Sequence, residues 1–251
     1  MRPFTRMTFA AARSACAIRT LFIAMDPNFL FDRLLYRDGL MLVIDKPAGL
    51  PVHAGPAGGE SLEDYFDALR FGLPRPPALA HRLDRDTTGC LVLGRHPKAL
   101  RKLGKLFSGS EVEKTYWAIA RGAPEKLSGT IDAPLKKVPD GKGWRMIIAD
   151  DGQSAVTTYR TLKTSDGLSL IEAKPKTGRT HQIRVHLASV GAPIVGDPVY
   201  GELSPEDRKQ PMMLHARRIV VPISKNKPPV AVEAPPPPTM AALLKTFGIE
   251  P

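Results

Sequence analysis

Short runs that are apolar throughout, or that alternate with period two, recur along this chain, and only a few helical patterns come between them. Leu40–Ile44 and Gly89–Gly94 are apolar runs. Lys114–Arg121, Ala155–Leu162 and Leu168–Ala173 are β-branched or alternating, and all five read as strands. Strands and helices do not alternate strictly, which argues against a doubly wound parallel sheet. The expected fold class is α+β, with a mixed, mostly antiparallel central sheet flanked by helices and loops. Pro139-Asp-Gly-Lys-Gly143 carries an Asp-Gly pair suited to a hairpin turn. Ser61 followed by Asp64 resembles a capping box opening a helix over Leu62–Arg70. Residues 95–107 form an amphipathic helix, with Leu100, Leu103 and Phe107 on one face and Lys98, Arg101, Lys102 and Lys105 on the other. A third helix is expected over about His181–Val190, capped by Thr180 and ended by Gly191. The extended connector Pro235–Pro238 precedes a short closing helix within Met240–Phe247.

The chain has 251 residues, 43% of them hydrophobic, enough for a core; 24% are charged, which excludes wholesale disorder. Lys and Arg number 36 against 25 Asp and Glu, a formal charge of +11. Such an excess points to a polyanionic partner, nucleic acid or an acidic membrane surface. No apolar run reaches the roughly 18 residues that a membrane helix needs. Cys16 and Cys90 are the only cysteines, too few for a disulfide framework or a Cys-rich zinc site, and they suit a reducing compartment. Residues 1–25 hold Arg2, Arg6, Arg13 and Arg19 and no acid. They read as upstream sequence ahead of a start at Met7 or Met25, as a disordered basic arm, or as a mitochondrial transit peptide. Residues 26–251 contain no linker that would divide them and are expected to form one domain.

Chemistry concentrates in three segments. His81-Arg-Leu-Asp-Arg-Asp-Thr-Thr-Gly89 places five ionisable side chains in six residues, directly before an apolar strand. Its loop is therefore expected to be pinned at a strand end and to face a cleft. Lys176-Thr-Gly-Arg-Thr-His-Gln-Ile-Arg-Val-His186 is the second, and the turn-rich Gly196-Asp-Pro-Val-Tyr-Gly201 the third. His81, His181, His186 and His215 show no i, i+4 pair on a helix and have no assisting cysteines, so no metal is expected. His81 and His181 read better as hydrogen-bonding scaffolds for their loops, and Asp86 as a holder of its own loop through Thr88 or backbone amides. No Gly-x-Ser-x-Gly elbow or P-loop occurs.

His81-Arg-Leu-Asp-Arg-Asp-Thr-Thr-Gly89 resembles the catalytic motif of the RluA-type RNA pseudouridine synthases. Val43–Leu50 looks like that family's first strand and turn, Lys114-Thr-Tyr-Trp-Ala118 like its tyrosine motif, and Thr177–His186 like its arginine motif. Gly196–Gly201 and Leu214-His-Ala216 match its later landmarks. Six motifs in order make the resemblance specific. Thr88 and Cys90 depart from it, standing where the family often has Ser and an aliphatic residue. The stretch before Leu40 is too short for the S4 RNA-binding module of many relatives, so RNA recognition is expected to rest with the catalytic domain.

The resemblance implies the pseudouridine synthase fold and the isomerisation of uridine in ribosomal or transfer RNA, without metal or other cofactor. Asp84 would be the catalytic carboxylate, and Arg184 its ion-pair partner. Arg82 and Arg85 are further candidates for facing that carboxylate. Tyr116 would stack on the uracil or relay the proton from C5. Arg82 would enter the RNA stack or hold a phosphate, because the target base has to leave its helix to be reached. The basic face Lys98–Lys105 and Lys136-Lys137 would touch RNA backbone; the alternative for that face is an ordinary solvated helix surface. A monomer in the cytoplasm is expected, or in mitochondria if residues 1–25 are a transit peptide. The competing reading is a catalytically silent RNA-binding or ribosome-assembly protein on the same scaffold.

Overall fold

The strands lie, in chain order, at β1 (Leu34–Arg37), β2 (Met41–Lys46), β3 (Ala78–Leu79), β4 (Thr88–Gly94), β5 (Glu113–Arg121), β6 (Ser128–Asp132), β7 (Leu135–Asp140), β8 (Gly143–Ile148), β9 (Val156–Ser165), β10 (Leu168–Pro175), β11 (Leu214–Val221) and β12 (Val230–Glu233). The helices are α1 (Pro97–Ser108), α2 (Gln182–Ser189) and α3 (Pro238–Thr246). This computed structural model describes residues 26–250, apart from 27, 56–57, 142, 202–203, 205–206 and 225. The leader 1–25, with its alternative starts and Cys16, lies outside the described residues.

The main sheet runs β1-β2-β4-β11-β5-β10-β9-β6, with β12 beside β11 and β3 beside β4. Among the described residues only β4 and β11 pair in parallel, so the sheet is mixed and mostly antiparallel, as the strand pattern predicts. Every residue of β4 is buried, which explains its unbroken apolar run: it carries no solvent face that would ask for alternation. The parallel contact is close, pairing His215 with Thr88 and Ala216 with Gly89. A Cβ on Gly89 would sit 2.4 Å from the carbonyl oxygen of Ala216, and its φ is +102°. Only glycine suits both conditions. β7 and β8 form a separate hairpin closed by Asp140 opposite Gly143, where the Asp-Gly signal falls.

Two helical expectations need correction and one is refined. Leu62–Arg70 is a helix as expected, wound as a 3-10 helix with a kink at Leu69. Its expected cap is present, because Asp64 Oδ2 accepts from Ser61 N at 2.7 Å and from its hydroxyl at 3.2 Å. α2 begins one residue later than its sequence suggests, and Thr180 does not cap it. His181 takes that position in the left-handed region, φ +54°, while Gln182 Oε1 ties the preceding loop by accepting from Arg179 N and the Thr177 hydroxyl. Gly191 ends the helix at φ +77°, as expected. The proline connector is shorter than it reads, because Pro238 is the first residue of α3, where a missing N–H costs nothing. α1 agrees with its pattern in part: it starts at Pro97, the four cations are exposed, and of the expected apolar face Leu103 is buried while Leu100 and Phe107 are half-buried, Ala99 and Leu106 completing the buried side. His96 Nδ1 caps it by accepting from Ala99 N.

Candidate active site

The loop between β3 and β4 carries Asp84 and is fastened from three sides. His81 Nε2 accepts from Val92 N at 3.0 Å, and its ring stacks on Phe107 of α1 at 4.5 Å. Lys46, the last residue of β2, is wholly buried. Its ammonium donates to the carbonyls of Arg85 (2.7 Å) and Thr87 (3.1 Å), which flank Asp84, and to that of its own neighbour Pro47 (2.7 Å), so all three protons are used. Burial draws the Lys46 pKa down to about 8, against the pull of Asp86 and Asp84. Thr88 and His215 form the third anchor at 2.8 Å. His215 Nε2 donates to the Ala234 carbonyl, so Nδ1 accepts from the threonine hydroxyl, and burial lowers the histidine pKa to about 4.

α2 brings Arg184 to this loop. The guanidinium is buried and binds Asp197 with two donors, Nε at 2.7 Å and Nη2 at 2.8 Å. Its third arm, Nη1, reaches Asp84 Oδ2 at 3.2 Å. Burial opposes the arginine charge, but the bonds and charges of Asp197, then of Asp84, outweigh it and raise its pKa. Asp197 is itself fully buried, and its Oδ1 also accepts from the amides of Val199 and Tyr200. The Tyr200 ring lies 5.1 Å from the Arg184 guanidinium carbon. The Tyr200 hydroxyl takes the Met146 amide at 2.9 Å and bonds His181 Nδ1 at 2.8 Å. His181 in turn sets Nε2 3.9 Å from Asp84 Oδ2, and Trp144 of the β7–β8 hairpin stacks on its ring at 5.1 Å. Burial lowers the His181 pKa, with Asp84 opposing.

Of the three arginines that could face Asp84, Arg184 alone bonds it. Arg85 is exposed and turns to Asp86 at 3.3 Å, and Arg82 stands exposed on the rim of the cleft. Asp86 does not hold its loop through Thr88, whose hydroxyl is committed to His215. Tyr116 on β5 is buried and lines the cleft, with its hydroxyl pKa raised by burial and then by Asp84. Trp117 beside it is only half-buried, under the guanidinium of Arg217. Lys136 and Lys137 are exposed on β7, the first paired with Asp151 and the second lying over Trp144. Asp197, Lys46, Tyr200 and Trp144 escaped the sequence reading as site-building residues. The turn-rich run after the apolar Pro193–Val195 was the one local signal for Asp197.

The cleft has a volume of about 490 Å³, within the range of small-molecule sites. Asp84 is the sole carboxylate among its described lining residues, against Arg82, Lys114, Arg179 and Arg184. Ile183, Leu214 and Leu83 supply apolar wall. Asp84 Oδ2 is engaged by Arg184, whereas Oδ1 accepts no bond from the described residues and is free to act on a substrate. A cationic bowl with one half-free carboxylate suits the binding of an anionic chain and nucleophilic or proton-transfer work on it.

The sequence profile of the RNA pseudouridylate synthases matches residues 40–189. An uncharacterized RNA pseudouridine synthase of Zymomonas mobilis is 49% identical over 208 residues, 82% of this chain and 94% of that protein. The ribosomal large subunit pseudouridine synthase D of Nitrosomonas europaea is 37% identical over 227 residues, 86% of this chain and 65% of that one. Human RNA pseudouridylate synthase domain containing 4 shares the fold at a TM-score of 0.76 and 29% identity, covering 90% of this chain and 96% of the other. With sequence and architecture in agreement over most of its length, the chain belongs to the RNA pseudouridylate synthase family, isomerases that convert uridine in RNA to pseudouridine.

Proposed function

We propose that Asp84 is the catalytic carboxylate of this isomerase, and that ribosomal RNA is its substrate. The observation that carries the first part is the pairing of the cleft-lining Asp84 with the buried Arg184 through Oδ2, with no bond to Oδ1 from the described residues. The second part rests on relatives such as the Nitrosomonas europaea enzyme. The reaction breaks the N1–C1′ bond of uridine, turns the uracil and joins C5 to C1′; the C5 proton is lost to solvent and N1 takes up a proton, so the product is an isomer of the substrate. No electrons are exchanged. Asp84 Oδ1 supplies the carboxylate oxygen for attack or proton transfer, and Arg184 holds the other oxygen in place. Tyr116 stacks on the flipped uracil, with Ile183 and Leu214 as the apolar wall beside it. Arg82, on the rim, takes a phosphate or fills the vacated stack.

The same reading takes the enzyme as a monomer, with residues 26–251 acting together as one catalytic unit. Its place of action is the cytoplasm, with mitochondria as the alternative compartment. The test is pseudouridine mapping of total RNA from cells carrying the wild-type gene, Asp84→Asn, or no gene. Ribosomal uridines modified in the wild type should be unmodified in both other strains. Full modification with Asp84→Asn refutes the catalytic assignment, and losses confined to transfer RNA refute the ribosomal one.

A further inference from the structure

α1 is built against its own stability. It carries Lys98, Arg101, Lys102 and Lys105 and no acid. These four make like-charge neighbours at i, i+3 and i, i+4, an arrangement that destabilises a helix. Lys98 also lies in the first turn, where the helix dipole disfavours a cation. Among the described residues no carboxylate pairs with any of the four. A solvated helix face ordinarily mixes signs; this one does not.

Gly104 is a second, independent anomaly. It sits inside the helix, where glycine is a poor helix former, and a Cβ there would meet nothing within 4 Å. Neither packing nor a positive φ asks for glycine at this position. Yet Gly104 lines the cleft, together with Phe107 and Ser108 of the same helix. By helical periodicity Arg101 and Ser108 share its stripe, Lys105 and Lys98 border it, and Lys102 lies furthest round. The bare backbone at Gly104 therefore lies where the cationic face meets the cleft mouth. Local rules broken together beside a functional cleft point to a partner that repairs them on arrival.

We propose that α1 is the track along which the RNA strand enters the cleft, with a sugar-phosphate segment lying over the open backbone of Gly104 and its phosphates on Arg101 and Lys105. The inference rests on the isomerase reading for its ligand class and extends it by assigning the surface that the strand crosses. Close approach is what a missing Cβ permits, and the unpaired cations supply the counter-charge. Contacts of this kind set affinity and salt dependence and carry no base sequence.

The test measures binding of a fluorescein-labelled oligouridylate by anisotropy between about 50 and 200 mM KCl. Arg101→Ala/Lys105→Ala should reduce the slope of log affinity against log salt by roughly 1.4, at about 0.7 per single-strand phosphate contact. Lys163→Ala/Lys245→Ala, which removes two exposed cations elsewhere, is the charge control. An unchanged slope in the first variant, or an equal change in both, overturns the proposal. Gly104→Ala and Gly104→Leu should melt at or above the wild-type temperature, because both residues are better helix formers. Both should nevertheless bind more weakly, the leucine variant by roughly 10-fold, the equivalent of one lost charge-assisted contact. Wild-type affinity in both glycine variants also overturns it. Tritium release from ribosomal RNA labelled at uridine C5 is scored separately. A wild-type protein that binds the oligouridylate but releases no tritium counts against the isomerase reading, not against the track.

Discussion

Replacing Asp197 with Asn should damage the protein more than replacing Asp84, although Asp84 is the residue at the cleft. Arg184 and Asp197 are both buried, with side-chain exposures of 6% and 0%, and meet through two bonds of 2.7 and 2.8 Å. Opposite charges about 4 Å apart at an effective dielectric of 20 attract by about 4 kcal/mol. Asn keeps one acceptor oxygen but turns an N–H₂ toward another donor, and the Arg184 charge is left to Asp84 alone. Breaking a buried pair from one side costs about 3–5 kcal/mol, and we expect Asp197→Asn to fall in that range. Asp84 is 20% exposed and holds Arg184 through one bond of 3.2 Å. Asp84→Asn leaves the two-bond pair intact and should change stability by less than about 1 kcal/mol. Urea denaturation followed by tryptophan fluorescence measures both, and an unchanged m-value keeps the comparison valid. If Asp197→Asn lies within about 1 kcal/mol of the wild type, Arg184 is not anchored as described. The order of the two variants tests the same claim without relying on either magnitude.

Gly89→Ala should cost more than about 3 kcal/mol or leave the protein insoluble, since the new Cβ would meet the Ala216 carbonyl at 2.4 Å and take an unfavourable φ; a loss below about 1 kcal/mol in the same urea assay would contradict this. Lys46→Met should abolish or sharply reduce tritium release and lower stability by about 3 kcal/mol, because it strands the Arg85 and Thr87 carbonyls of the Asp84 loop together with that of Pro47. Wild-type turnover in a folded Lys46→Met variant would show that the loop does not depend on that clamp. His215 has a folded pKa of about 4 against an ordinary 6.5, so its neutral form stabilises the fold fully above pH 6.5 and that stability is lost as pH falls toward 4. The loss from this residue is about 3 kcal/mol over the window. His215→Gln should flatten the stability profile between those pH values, and parallel profiles for the two proteins would rule the assignment out.

Residues that line the cleft were more legible in this sequence than the residues that hold them, and the difference is physical. Asp84 and Arg184 sit in segments whose density of polar groups makes no sense for a core or a plain loop, so local composition exposes them, whereas Tyr116, on an ordinary-looking strand, stood out only through the resemblance of Lys114-Thr-Tyr-Trp-Ala118 to a family motif. Lys46 closes an apolar strand just before Pro47-Ala-Gly49, where a lysine reads as the first solvated residue of a turn. Its partners are the carbonyls at Pro47, Arg85 and Thr87, two of them 39 and 41 residues away, and a backbone carbonyl has no residue-type signature. Asp197 precedes a proline and reads as a turn former. Only the arrival of α2 beside it converts it into the counter-charge of Arg184. β1, β3, β6 and β12 were missed for another reason, since runs of two to five residues show too little period-two pattern to rise above loop sequence, and the interior β11 was missed because His215, Arg217 and Arg218 interrupt its apolar run. Buried charges are thus the least legible class, because each is defined by its partner. The α1 cations invert that case: their pattern is visible in the sequence, but only the cleft beside Gly104 and the absence of paired carboxylates among the described residues separate a working surface from a solvated one.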